Sequence, residues 1–340
     1  MKRDLLCKSK FIAAFMCPVL ALCGCGAFDI TYFHQMNDAE LSEITVAIKD
    51  AEGYEMEDIV AEDVRLTANA GVTGGSDDGK EAYIPQGAGV FSWDHIPGRD
   101  DINCMLENGI SEIYQYMKPE YSDMSVKKFL ESMDELDISV YILDGEPEWC
   151  YESGYQGMAE CLDRVRNWNS LVEKDQRIKG VIYDMEPYVL DKWHSTPDQI
   201  LEEYVSNVIR IKEEAGRDEN PLRIYFCIPY TYDITGKENT LRSVIRESDG
   251  VFVMNYFKGK EIDHISTEVA LCSLYEKRIV NIYELQPGLL SQTTDTITYY
   301  RDGLGALRDN YRQLRDAYPD SNIGLAYHTL EYLRVLSISE

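Results

Sequence analysis

An α/β architecture closed into a (β/α)8 barrel, with a small N-terminal extension, is the fold this sequence predicts, on three observations. Eight short apolar runs of strand character recur from residue 87 onward, seven followed by a clear helical pattern and the last by a brief one. The runs are continuously apolar rather than alternating, as expected of parallel strands buried on both faces. Eight such units fit within about 250 residues, the length typical of a closed barrel. An open doubly wound sheet is the competing arrangement. Against it, no Gly-rich phosphate loop follows any strand: the stretch from Gly71 to Gly79 matches neither G-x-x-x-x-G-K-[ST] nor G-x-G-x-x-G.

The elements follow in order. Strands are expected at 87–93, 111–117, 138–143, 180–183, 222–228, 250–255, 279–283 and 323–327. Helices are expected at 100–109, 126–136, 158–172, 196–215, 240–247, 267–277, 296–318 and 328–336. The helix at 126–136 repeats Phe129, Leu130, Met133 and Leu136 on one face. The one at 196–215 has start and stop signals, Thr196-Pro-Asp before it and Gly216 after it.

Upstream of the barrel the chain changes character. Lys2, Arg3, Lys8 and Lys10 precede an apolar run at 11–22, about a dozen residues and too short for a permanent membrane span. That pattern reads as a secretion signal. It ends in Leu22-Cys23-Gly24-Cys25, which resembles the lipobox of bacterial lipoproteins; the resemblance implies cleavage before Cys25 and lipidation of that residue. The alternative is a plain signal peptide cut near 24–27. Residues 1–24 are thus expected to be a lipoprotein signal peptide, and the mature protein to be extracytoplasmic and lipid-anchored to a bacterial membrane. Residues 25–86 read as a tether or small appended region, acidic first and then rich in Gly, Ala, Ser and Asp. Residues 87–340 form the barrel.

Charge and cysteine content narrow the partners. The formal net charge is -27, and removing residues 1–24 takes away four cations and one acid, leaving a body near -30. Such a surface repels nucleic acid and anionic headgroups, so no nucleic-acid partner is expected; neutral or cationic polymers remain. Four of the nine Cys lie in the leader and lipobox, and Cys104, Cys150, Cys161, Cys227 and Cys272 remain. Their odd number leaves at least one unpaired, Cys150 and Cys161 could pair, and buried free thiols are the favoured reading. No Cys or His spacing matches a metal site, and no cofactor is expected.

The chemistry is expected where the strands end. In Gly180-Val-Ile-Tyr-Asp-Met-Glu-Pro-Tyr188, alternation puts Ile182, Asp184 and Glu186 on one face. Two carboxyls at the C-terminal end of a strand are costly in a core, and at a barrel mouth they form a candidate acid/base pair. Other strand ends bring Trp93 and Asp94, Asp144 with Glu146 and Trp149, Tyr230, Asn255 and Tyr256, Glu284, and Tyr327 with His328. The strand starts show no comparable clustering. A ring of acids and aromatics suits glycoside cleavage, which needs one protonated carboxyl and a second group to stabilise an oxocarbenium-like charge. Tyr is also abundant, 24 residues against 9 Phe, and suits the apolar faces of sugar rings.

Gly180-Val-Ile-Tyr-Asp-Met-Glu186 resembles the end of the D-x-x-D-x-D-x-E signature of glycoside hydrolase family 18, with Lys179 and Ile182 where its first two acids stand. Met254-Asn-Tyr256 is similar to the same family's M-x-Y, followed here by Phe257. The resemblance implies Glu186 as general acid, with Asp184 and Tyr256 assisting attack by the substrate's own N-acetyl oxygen. Met185-Glu186-Pro187 also resembles the N-E-P of the retaining barrel clan, with Met185 for Asn. That resemblance implies Glu186 as acid/base and Glu284 as nucleophile.

The candidate set is therefore Glu186, Asp184, Glu284 and Tyr256 for catalysis. Trp93, Asp94, Asp144, Trp149, Tyr230, Asn255, Tyr327 and His328 are the candidates for binding a carbohydrate. Plainer roles stand beside these: Glu284 as a strand-end acid paired with Arg278, Tyr256 as packing, the two Trp as caps, and His328 as a carboxylate partner. The departures from both signatures leave a non-catalytic glycan- or partner-binding barrel as the second functional reading.

Overall fold

The structure, a computed structural model, describes residues 83–287 and 296–339. Cys25, the leader and nearly all of the region 25–86 lie outside the described residues. Within them the chain forms a closed barrel in sequence order, every neighbouring pair of strands parallel. The strands are β1 (Ala88–Ser92), β2 (Ile110–Tyr116), β3 (Ser139–Asp144), β4 (Gly180–Tyr183), β5 (Arg223–Pro229), β6 (Gly250–Met254), β7 (Arg278–Glu284) and β8 (Ile323–His328).

The helices around them are α1 (Arg99–Glu107), α2 (Asp123–Glu135), α3 (Tyr155–Asn169), α4 (Pro197–Ala215), α5 (Glu238–Glu247), α6 (Glu261–His264), α7 (Ser266–Tyr275), α8 (Gly303–Ala317) and α9 (Leu330–Ser339). The short α6 was not foreseen. The helix expected from 296 begins only at Gly303, because Ile297-Thr-Tyr299 is β-branched and aromatic and pairs with the end of β7 instead. All five cysteines of the barrel are buried and free. Among the described residues no helix is long and apolar enough to cross a membrane.

The barrel interior explains why the functional end is polar. Side chains alternate along each strand, so Phe91, Tyr114, Tyr141, Tyr225 and Phe252 point inward and pack edge to face, with centroids 4.9–6.2 Å apart. Gly89 has to lack a side chain, since a Cβ there would lie 1.9 Å from the Tyr114 hydroxyl. Below this layer Arg278 lies over the rings of Tyr141, Tyr225 and Phe252 and pairs with Glu112, which also accepts the Tyr114 hydroxyl at 2.7 Å. The strand starts therefore do carry a charged cluster, against expectation. It escaped notice because Glu112 and Arg278 are far apart in sequence and meet only when β2 and β7 face each other.

This arrangement makes a stability prediction. Arg278→Met leaves the Glu112 carboxylate without its cation and should cost roughly 2–4 kcal/mol, less than a fully buried pair because both groups keep some water contact. Adding Glu112→Leu should recover most of that loss in denaturant melts. Equal and additive losses from the two substitutions would show that the pair is not coupled.

Candidate active site

β4 delivers the central pair. Gly180 to Tyr183 is apolar and wholly buried, and the chain then runs on to Asp184 and Glu186, with Asp184 N–H donating to the carbonyl of Asp144 at 2.9 Å. Ile182 faces the interior beside Leu143 and Tyr225, so Asp184 stands directly above it on the inner face. Gly145 admits this close approach: a Cβ there would lie 2.1 Å from the Asp184 carbonyl oxygen. Asp184 and Glu186 are only 5% and 4% exposed. One oxygen of each, Asp184 Oδ1 and Glu186 Oε1, is buried with no hydrogen-bond partner among the described residues. Orphaned acceptors at the end of a barrel are the mark of groups kept for something other than holding the fold.

Burial raises both acids. Glu186 is pushed up to about 8, by desolvation first and by the charge of Asp184 second, with the nearby Tyr188 hydroxyl acting the other way. Asp184 rises to about 6, again chiefly through desolvation, opposed first by His328 and then by the Cys227 thiol on β5. Two like groups this close cannot both be charged cheaply, so at neutral pH the proton sits on Glu186. The neighbouring charge acting on Glu186 is that of Asp184, not that of Glu284.

β7, β8 and β1 build the opposite wall. Glu284 accepts the Gln286 backbone N–H at 2.6 Å on one oxygen and His328 Nδ1 at 2.9 Å on the other. His328 Nε2 in turn meets the indole N–H of Trp93 at 3.1 Å. An indole N–H can only donate, so Nε2 is the bare nitrogen and Nδ1 carries the proton given to Glu284. The Gln286 amide, 3.2 Å from Nδ1, is then assigned with its oxygen toward that N–H. The end of β7 is pinned from outside as well, its Glu284 carbonyl accepting Tyr299 N–H at 2.9 Å and the Thr298 hydroxyl at 3.2 Å. Tyr256, just past β6, lies 6.4 Å from the His328 ring and in the field of Glu284, Asp184 and Glu186. Among the described residues no cluster of three or more His, Cys, Asp or Glu side chains is placed to hold a metal ion.

Asp184, Glu186, Glu284, Tyr256, His328 and Trp93 are thus brought together, and Glu284 pairs with His328 rather than with Arg278. Others in the expected ring are not. Asp144 points to the helix side of β3, where it binds Arg164 at 2.5 Å and its oxygen accepts Gly145 N–H. Trp149 packs outside the barrel, against Gly157 of α3 and 6.2 Å from the Tyr183 ring. Asn255 also faces out, donating to the Glu261 carbonyl and to Asn281 at 2.9 Å each. Tyr230 stacks on His264 at 4.3 Å, Tyr327 is fully buried on the outer face of β8, and Asp94 lies exposed on the rim. The physical reason is common to Asp144, Asn255 and Tyr327. Adjacent strand residues take opposite faces, so each cannot share the mouth with its inward neighbour.

Cys227, Tyr188 and Gln286 were missed. Tyr188 and Gln286 each lie two residues beyond a chosen acid, so the same alternation would have found them.

No protein-family model matches the chain, and no curated protein matches it in sequence. Solved structures resemble it in backbone arrangement. An intracellular xylanase from Thermoanaerobacterium saccharolyticum is 12% identical, with a TM-score of 0.47 over 72% of this chain and 85% of that one. A class V chitinase from Nicotiana tobaccum is 9% identical, with a TM-score of 0.47 over 75% of this chain and 99% of that one. A mutant GH18 chitinase from Cycas revoluta in complex with (GlcNAc)4 is 11% identical, with a TM-score of 0.47 over 74% and 98%. The likeness is one of fold.

The raised acids predict a pH-dependent stability. Both hold a proton more tightly folded than unfolded, where their ordinary values are 3.8 and 4.5. Their contribution is complete below those values and is lost as pH rises through about 6 for Asp184 and about 8 for Glu186. Thermal melts of the parent should therefore fall between pH 5 and 8. The Asp184→Asn/Glu186→Gln variant should lose most of that fall. An unchanged slope would mean the two acids are ordinary.

Proposed function

We propose that this protein is a glycoside hydrolase acting on an oligo- or polysaccharide, with Glu186 as the general acid. The observation that carries this reading is the buried Asp184–Glu186 pair, in which Glu186 keeps its proton at neutral pH and each acid has an unsatisfied oxygen. Glu186 donates that proton to the glycosidic oxygen as the bond breaks. Positive charge then develops at the anomeric carbon, and the neighbouring Asp184, which ionises first of the two, stabilises it. Because Asp184 rather than Glu284 acts on Glu186, the attacking group is assigned to the substrate's own 2-acetamido oxygen, oriented by Asp184 and Tyr256. Glu284, fixed by His328 and Gln286, is assigned to holding the sugar, with Trp93 offering its ring at the mouth. The substrate is reached outside the cytoplasm, the protein being held at a membrane through a lipid on Cys25.

Two observations favour the second reading, a barrel that binds glycan without cleaving it: the acids are almost closed to solvent, and Lys179, Ile182, Met185 and Phe257 depart from the glycosidase signatures. Turnover separates the two. Release of reducing ends from chitin-type, plant and peptidoglycan substrates should occur with the parent and fall at least ~1,000-fold in Glu186→Gln, which still folds and binds. Glycan binding by both proteins with hydrolysis by neither would establish the second reading. Glu284→Gln should keep ~10% or more of the activity. A loss as complete as that of Glu186→Gln would instead make Glu284 the nucleophile.

Asp184→Asn should move the alkaline limb of the kcat/KM profile to lower pH, because it removes the charge that raises Glu186.

A further inference from the structure

The rim also carries a concavity that the reaction above does not use. Two 3-10 turns, Pro147–Cys150 and Glu152–Gly154, join β3 to α3, and a third, Pro187–Val189, follows Glu186. A cleft of about 540 Å3, within the ~300–1,000 Å3 range of small-molecule sites, lies between the second of these turns, the segment after the third and the start of α4. Its walls include Tyr151, Ser153, Lys192, Ser195, Gln199 and Glu203. The turn Pro147–Cys150 packs against Pro187–Val189, which begins one residue after Glu186, and both pack against α4, so the cleft lies on the same side of the rim as the acid pair.

The cleft is held in shape from below. Asn207 of α4 is fully buried, and its side-chain amide donates to the carbonyls of Trp149 at 2.9 Å and Tyr151 at 2.8 Å. One turn earlier Glu203 accepts Glu152 N–H at 2.8 Å and the Gln199 amide at 2.8 Å. Two α4 side chains are thus engaged in fixing the loop that carries Tyr151. A fixed wall lowers the ordering cost of binding.

The chemistry of the walls selects the occupant. Lys192 stands 5.7 Å over the Tyr151 ring, while the Glu203 carboxylate is already engaged by two donors, so the charged lining is one cation and one anion. Asp191 and Glu148 also act on Tyr151, which disfavours an anionic ligand. What remains is the Tyr151 ring among Ser153, Ser195 and Gln199, of which the Ser195 hydroxyl and Gln199 amide already donate to the Lys192 carbonyl and to Glu203 and offer their oxygens as acceptors. That set suits an uncharged polyhydroxylated ring. We propose that the cleft lined by Tyr151, Ser153, Ser195 and Gln199 is an outer subsite for a neutral sugar unit, so that the substrate is a chain reaching from the acids onto the α4 side of the rim. The proposal rests on the glycosidase reading for its substrate class, but its evidence is binding rather than turnover.

The test is calorimetric titration of the full-length Glu186→Gln protein with chito- and cello-oligosaccharides of two to six units, beside a uronate oligomer of matched length. Affinity should rise about tenfold from the shortest to the longest neutral chain that binds. Tyr151→Ala, added to the same protein, should abolish the gain with length, and Tyr151→Phe should restore it. A gain with length that survives Tyr151→Ala, binding independent of length, absence of binding, or tighter binding of the uronate oligomer would each overturn the subsite. Hydrolysis by Glu186→Gln at the parental rate would overturn the acid assignment instead, leaving the length dependence to judge the cleft.

Discussion

Two carboxyls placed two residues apart at the inner end of β4 are the constraint to which the rest of the barrel answers. Alone, such a pair in a desolvated interior would cost several kcal/mol and would be replaced by apolar residues without loss to the fold. Here the interior beneath is closed by Ile182 and by a layer of edge-to-face aromatics, so no water reaches the acids from below. The same desolvation that makes the pair costly separates the two acids, Glu186 to about 8 and Asp184 to about 6. A proton held at neutral pH beside a group that has given its own up is what acid catalysis on a poor leaving group needs. The opposite wall answers differently. Glu284 is surrounded by donors, from the Gln286 backbone and from a histidine whose tautomer Trp93 sets.

The floor of the barrel handles charge by the opposite means. Glu112 and Arg278 are also ionisable groups inside the barrel, yet each has its partner, and three rings cover the guanidinium. Satisfied charge at one end and unsatisfied charge at the other is a physical basis for telling the structural end of the barrel from the functional one. It agrees with the general placement of function at the C-terminal ends of barrel strands.

The fold was legible because burial on both faces leaves eight continuously apolar runs of strand length, with helical periodicity between them, in the order of the residues. The Asp184–Glu186 pair was legible because it lies within one strand's alternation. Legibility failed where a reading ignored that alternation. Asn255 and Tyr256, or Tyr327 and His328, cannot both face the mouth, and in each pair the structure turns the first to the helices. Asp144 and Trp149 were drawn into the ring by position, whereas Arg164 and Gly157 of α3 claim them from outside. The Glu112–Arg278 pair and the Trp93–His328–Glu284 chain join strands far apart in sequence, and nothing local announces either. The start of α8 was misjudged because Thr298 and Tyr299 are engaged by the carbonyl of Glu284, a tertiary demand that overrides the helical pattern after them.

The account turns on one proton. Difference infrared spectroscopy of the parent against Glu186→Gln, at pH 7 and in the absence of glycan, reports the ionisation state of that side chain directly. The structure predicts that the substitution removes the carbonyl band of a protonated carboxylic acid. Removal instead of the paired bands of an ionised carboxylate, with Glu186 titrating near its ordinary value of 4.5, would contradict the assignment of Glu186 as the acid.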